Sequence, residues 1–314
     1  MSRSGLTIVR PGVQSSLQDL GRFGCAQQGL SQGGAMDLHA HCWANKLLDN
    51  AVNCPTLEIV IGMAEFYAES DLWLALAGAD MQASVDGEAI ANWSSFLMKQ
   101  GQILNLKPAR DGMRSYLATA GGAGGTGGFQ VPLTHGSVST VVRNSLGGLD
   151  GALLKEGDFL PVDSGAVGAT RHVPSRYLPT YTESIELRVL ESYQANQFQA
   201  DQMEKFYRSE YTLTPDCDRM GARLEGESIS GPLGNLISEG IALGSIQIPE
   251  DGQPIILLND RQTLGGYPKL GCVARVDLFQ LAQARPGTRI RFAPMQLGEA
   301  RSDWLEFCRF FGRV

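Results

Sequence analysis

Short apolar runs closed by glycine or by a polar cluster follow one another along this chain, at residues 6–9, 57–61, 72–77, 103–106, 115–120, 185–189, 255–258 and 289–292. Each is rich in branched or aliphatic residues and too short for a helix, so each predicts a β-strand. A glycine turn leading into an alternating strand recurs at Gly101, Gly157 and Gly287, which suggests one β unit used more than once. Only three segments carry a helical period. Asp37 can cap a helix running to Leu48; residues 195–208 gather Phe198, Met203, Phe206 and Tyr207 on one face; residues 296–311 align Ala300, Trp304, Cys308 and Phe311. The pattern predicts a mainly β protein with a few short helices.

Apolar periodicity lapses over residues 162–182, where Gly, Ser, Pro and Thr collect. At 314 residues the chain suits two cores better than one. The expected boundary lies near residue 172, giving an N-terminal lobe of 1–172 and a C-terminal lobe of 173–314 that ends in a helix.

With 43% hydrophobic and 19% charged residues there is ample material to bury. A net charge of −7 argues against nucleic acid or an anionic membrane as partner, since both need a basic surface. Six scattered cysteines, without a CxxC or a Cys/His cluster, predict free thiols and no metal site. The N-terminus lacks the apolar run of a signal peptide and no long apolar segment follows, so a cytoplasmic location is expected.

Two motifs lack the context that their chemistry needs. Gly122-Ala-Gly-Gly-Thr-Gly127 follows a strand as a dinucleotide loop would, but Phe129, Gln130, Val131 and Pro132 come next instead of a helix. It reads as a turn. No P-loop is present either, so ATP, if used, is expected to be held largely by another chain. Leu97-Met-Lys-Gln100 half-resembles a biotin attachment site, yet the second Met is missing, and Lys99 reads as a surface turn residue with no biotin attached. The four histidines, His39, His41, His135 and His172, form no familiar catalytic spacing.

The C-terminal lobe carries the sharper signal. Asp218-Arg219-Met220-Gly221 precedes a predicted strand, and Asn259-Asp260-Arg261-Gln262-Thr263-Leu264-Gly265-Gly266-Tyr267 follows the apolar strand at 255–258. A loop leaving a buried strand is already positioned, and this one concentrates amide, carboxylate, guanidinium, hydroxyl and phenol groups. Gly265 and Gly266 would let backbone N–H groups approach a developing oxyanion.

Six collinear blocks resemble a known family: Ser16-Leu-Gln-Asp-Leu-Gly-Arg22, Gly34-Ala-Met-Asp37, Ala75-Leu-Ala-Gly-Ala79, Arg114 through Gly122, Asp218-Arg-Met-Gly221, and Gly252-Gln-Pro with Asn259 through Pro268. The chain is similar to the C component of bacterial 5-oxoprolinase, in a group that includes the KipA antagonist and the carboxyltransferase-type half of urea amidolyase. It departs from that pattern at Gly33 and Cys217, where Ser is common, and in the expanded run Gly124–Gly128. The resemblance implies two cyclophilin-like β-barrel lobes. It also implies partners, namely a shorter cyclophilin-like B component and a third, A component of the 5-oxoprolinase complex. The implied reaction is ATP-driven opening of the small-molecule lactam 5-oxoproline to glutamate. On that reading Asp218, Arg219, Asp260, Gln262, Thr263 and Tyr267 are catalytic candidates. Arg261, Asn259, Gly265 and Gly266 are substrate-binding candidates; Arg219 or Arg261 would hold the substrate carboxylate. A biotin-dependent carboxyltransferase acting on a urea-like substrate, or a KipA-like regulator without enzymatic activity, is the alternative.

Overall fold

The computed structural model describes residues 3–121, 128–163, 165, 167–232 and 237–313. The glycine-rich stretch Gly122 to Gly127 lies outside them. Contacts divide the chain into two compact units, Met1–Phe23 with Gly33–Thr180, and Gly24–Gln32 with Tyr181–Val314. The division falls beyond the expected residue 172 because the preceding segment is still stitched to the first unit. His172 bridges Ser94, the Arg171 amide donates to Ser95 Oγ at 2.9 Å, and the Val173 amide donates to Trp93 O. Membership of the second unit by Gly24–Gln32 has no periodic signature in the sequence.

The first unit contains β1 (Gly5–Pro11), β2 (Gln14–Gln18), β3 (Thr56–Val60), β4 (Ala64–Ala68), β5 (Leu72–Asp80), β6 (Ser84–Val85), β7 (Glu88–Ala89), β8 (Ser94–Met98), β9 (Ile103–Leu106), β10 (Asp111–Thr119), β11 (Gly128–Phe129) and β12 (Phe159–Asp163). They form one sheet in the order β11-β12-β1-β4-β9-β6-β7 and another in the order β2-β3-β10-β5-β8. Alternation places Ala64, Phe66 and Ala68 of β4 inward, with the intervening residues half-buried. Leu6, Ile8, Phe66 and Leu104 from the first sheet join Leu57, Ile59, Leu74 and Leu117 from the second in one core. Helix α1 (Leu38–Lys46) is capped as its sequence predicts: Asp37 Oδ1 accepts from the His39 and Ala40 amides at 3.0 and 3.1 Å.

In the second unit the strands are β13 (Ser184–Glu191), β14 (Glu210–Cys217), β15 (Gly221–Glu225), β16 (Glu239–Gly240), β17 (Ser245–Gln247), β18 (Ile255–Leu257), β19 (Leu264–Gly265), β20 (Lys269–Val273) and β21 (Arg289–Pro294). Seven close a barrel in the order β13-β20-β17-β18-β15-β14-β21, and β16 pairs with β19 as a separate ribbon. Ile185, Leu187 and Val189 of β13 alternate inward. The predicted helix at 195–208 divides into a 3₁₀ turn, Ala195–Gln197, and α2 (Ala200–Arg208), whose Phe206 stacks on Phe292 at 4.4 Å. A further short helix, α3 (Leu278–Gln283), has no counterpart among the predicted elements. The last, α4 (Leu297–Phe310), begins with a reciprocal Gln296–Glu299 capping box.

Candidate functional site

Strands β15 and β18 are antiparallel neighbours, with Gly221 opposite Leu257. The loop entering β15 and the loop leaving β18 therefore emerge at the same end of the barrel. Their backbones go on pairing past the strands: the Leu258 amide donates to Met220 O at 2.9 Å and the Asp260 amide to Arg219 O at 2.8 Å. Asp218 Oδ1 accepts from the Met220 and Gly221 amides at 2.7 and 3.1 Å and so fixes the turn into β15. The two motifs singled out in the sequence thus become one structure.

Within it Arg219 and Asp260 form a two-point ion pair, Nε to Oδ2 at 3.0 Å and Nη2 to Oδ1 at 2.9 Å. Each is more than nine-tenths buried, at 8% and 6% exposed. Arg261 is held differently, donating from Nε to Ile241 O at 3.0 Å, from Nη1 to Leu258 O at 3.2 Å, and from Nη2 to Gln32 Oε1 at 3.4 Å. Burial pulls its pKa below the ordinary arginine range, while the charge of Asp260 works in the opposite sense. Ser31 adds a tie that the sequence did not signal, its Oγ donating to Asp260 O and Arg261 O at 3.2 and 3.0 Å.

Beside these residues lies a cleft of about 350 Å³ whose lining includes Asp216, Asp218, Gln247, Arg261, Gln262 and Tyr267. Of the expected residues, Asp218, Arg261, Gln262 and Tyr267 line it. Arg219 and Asp260 stand behind it as a buried brace, with Asn259, also buried, next to Asp260. Thr263 accepts the Ile241 amide through its carbonyl, and Gly265 pairs with Glu239 in the ribbon. Gly266 is half-buried between Gly265 and Tyr267. Tyr267 is 50% exposed and also borders a second cleft, of about 560 Å³, with Ser228, Pro249, Asp251 and Pro268 among its lining.

The ribbon that carries Leu264 and Gly265 is clamped from below. Lys269, 7% exposed, donates to Glu239 Oε1 at 2.5 Å, and Gln194 Nε2 donates to the same oxygen at 2.8 Å. Tyr193 also hydrogen-bonds Glu239. The Lys269 bond, then that of Tyr193, holds the Glu239 carboxyl below its ordinary range.

The first-unit motifs of the family resemblance serve as internal fasteners. Asp19 accepts four hydrogen bonds, from the Gly21 amide, Ser137 Oγ, the Val138 amide and Ser139 Oγ, all within 2.6–2.9 Å. Glu58 Oε2 accepts from the Met36 amide at 3.0 Å and from Tyr116 Oη at 2.7 Å. His41, fully buried, bonds Thr56 Oγ1 and Val52 O. Lys99 pairs with Asp71 on a surface turn. Among the described residues no group of three or more His, Cys, Asp or Glu is placed to hold a metal, and no helix is long and apolar enough to cross a membrane.

The sequence matches the family model for the carboxyltransferase domain, subdomains A and B, over residues 28–294. It is 38% identical over 310 residues to the C component of 5-oxoprolinase from Escherichia coli K12, spanning 98% of this chain and 97% of that protein. The C component of Haemophilus influenzae 5-oxoprolinase is 35% identical over 292 residues, 91% of this chain and 90% of the relative. Among solved structures, the urea amidolyase of K. lactis matches with a TM-score of 0.90 at 25% identity. That match spans 98% of this chain but only 20% of the amidolyase chain.

Proposed function

The chain belongs to the carboxyltransferase-domain family, subdomains A and B, and from that premise we propose that it is the C component of a cytoplasmic, ATP-dependent 5-oxoprolinase that opens 5-oxo-L-proline to L-glutamate. The observation that carries this reading is the end-to-end match to a protein of that name, which leaves almost no part of either chain uncovered.

The cleft supplies chemistry suited to a small polar amide. Gln262 and Tyr267 offer donors and acceptors, Arg261 places a guanidinium charge in the lining for the substrate carboxylate, and Asp218 places a carboxylate there. The lactam is resonance-stabilised, so attack by water needs an activated carbonyl and a stabilised oxyanion. ATP supplies that activation in this reading. The cleft itself does not suit a triphosphate, because Asp216 and Asp218 offset Arg223 and Arg261, and Arg223 is already paired with Asp251. ATP is therefore assigned to the partners, the shorter B component and the A component. Arg219 and Asp260 act as positioning residues that hold the two loops in register.

Likeness to the K. lactis urea amidolyase favours a second reading, transfer of a carboxyl group to a urea-like substrate. It would require a biotin carboxylase and a biotinylated carrier on other chains. To separate the readings, the chain is combined with its partner components and assayed for glutamate release, with Gln262→Ala and Asp218→Ala alongside wild type. The proposal expects ATP-dependent release that falls about tenfold or more in both variants. Full activity in both would remove the site assignment, and ATP-dependent carboxylation of urea without lactam turnover would replace the function.

A further inference from the structure

Among the described residues that line the cleft, Gln247 has a side chain that the barrel around it leaves unexplained. It ends β17, with Ile255 of β18 and Lys269 of β20 opposite it, and it is 4% exposed. Its Nε2 is buried and has no hydrogen-bond partner among the described residues. A buried amide without a partner costs about 1–3 kcal/mol relative to a satisfied one, so such a group is retained where something else satisfies it.

The neighbouring loop is shaped around this side chain. A Cβ on Gly265 would stand 3.0 Å from Gln247 Nε2 and 2.7 Å from Ile241 Cδ1. The Gly265 φ is not in the left-handed region, so the backbone does not demand glycine at this position. A side chain there would press on the ends of Ile241 and Gln247, which would have to shift. Gly265 thus leaves room for the Gln247 carboxamide beside the loop.

We propose that Gln247 reads the amide group of the ligand bound in the cleft, and that the ligand class is therefore a small cis-amide. A carboxamide presents an N–H donor and a C=O acceptor side by side. A cis-amide, as in a five-membered lactam or a ureide, presents the complementary pair, and the two close a two-point hydrogen-bonded ring. An ester or lactone of the same shape lacks the N–H and leaves the Gln247 oxygen unpaired, which a site built to bond that group rejects. This inference rests on the reading that a small amide occupies the cleft, and it adds to that reading the residue that distinguishes an amide from its oxygen isostere.

The test is a binding series on the full chain, repeated with the partner components present. The probes are 5-oxo-L-proline, its N-methyl derivative, its lactone isostere and urea. Wild type is expected to prefer 5-oxo-L-proline over the lactone and the N-methyl compound by about tenfold or more, a comparison that needs no variant. In Gln247→Met, close in volume and unable to form the ring, that preference should collapse toward unity through weaker lactam binding while the lactone is unaffected. Equal wild-type affinity for lactam and lactone, or a preference unchanged in Gln247→Met, overturns the proposal, as does the absence of amide binding both with and without partners. If amides bind in a Gln247-dependent manner but no glutamate is released, the 5-oxoprolinase reading fails and the role of Gln247 stands. Glutamate release with no lactam preference gives the reverse.

Discussion

Arg219 and Asp260 show what a single pair contributes to this site. Two charges removed from water are tolerated only when each satisfies the other, and their two-point geometry at 2.9 and 3.0 Å does so. Removing one partner leaves the other uncompensated. Arg219→Met should therefore cost about 3–5 kcal/mol of unfolding free energy in urea, and Asp260→Leu a similar amount. The double variant should cost less than either single one, and additive losses would contradict the pairing. The sequence marked Arg219, Arg261, Asp218 and Asp260 as a group. It could not tell that Arg219 is engaged by Asp260 while Arg261 rests on carbonyls, because that choice depends on the β15–β18 register. The same limit hid Ser31, whose partners Asp260 and Arg261 are remote in sequence, and Gln247, whose place beside Gly265 depends on the path of the loop.

His39 makes a second residue-scale prediction. Burial pushes its pKa from 6.5 down to about 4, and its Nε2 accepts a hydrogen bond from Trp43 Nε1 at 3.1 Å, which a protonated ring cannot do. The folded state thus holds the imidazole neutral, and the unfolded chain takes up the proton first as pH falls. Stability from this group is complete above pH 6.5 and is lost as pH falls toward 4, by on the order of 2–3 kcal/mol. His39→Gln, which keeps an acceptor for Trp43, should flatten that part of the profile in denaturant unfolding at pH 7, 5.5 and 4. An unchanged acid limb would contradict this assignment.

Among the elements, the β16–β19 ribbon matters most to the site because it carries Gly265 and forms a two-stranded sheet separate from the barrel. Lys269 of β20 clamps it through Glu239. Replacing Lys269 with Met removes the charge and keeps the stem. The amides of Ile241 and Gly265, which face the paired strand, should then exchange with solvent about tenfold faster, with barrel amides such as Ile256 unaffected. Uniform loss of protection would mean that the clamp supports the whole barrel. Most strands were legible because their apolar runs are short and punctuated, as at 103–106 and 289–292. The capped start of α1 was legible in Asp37. The six-residue α3 was not, since it is too short to display a helical period. The gap between Gln197 and Ala200 in the predicted 195–208 helix escaped because its aromatic face continues across it.

For the whole molecule, the mainly β character and the presence of two units followed from strand punctuation and length. Assignment of Gly24–Gln32 to the second unit did not, because a segment that returns to a distant part of the chain leaves no local pattern. The family was legible chiefly through motifs whose residues take different places in the structure. Those of the first unit, such as Asp19 and Asp37, hold backbone in place, and those of the second surround a cleft. In the proposed reading ATP acts on the partner components, and this chain completes a reaction energised there. The proposed chain thus depends on its partners, and the decisive measurement is glutamate release from 5-oxo-L-proline by the A and B components, with and without this chain and ATP. Release is expected only when both partner components, this chain and ATP are all present; equal release without this chain, or release without ATP, would rule the function out.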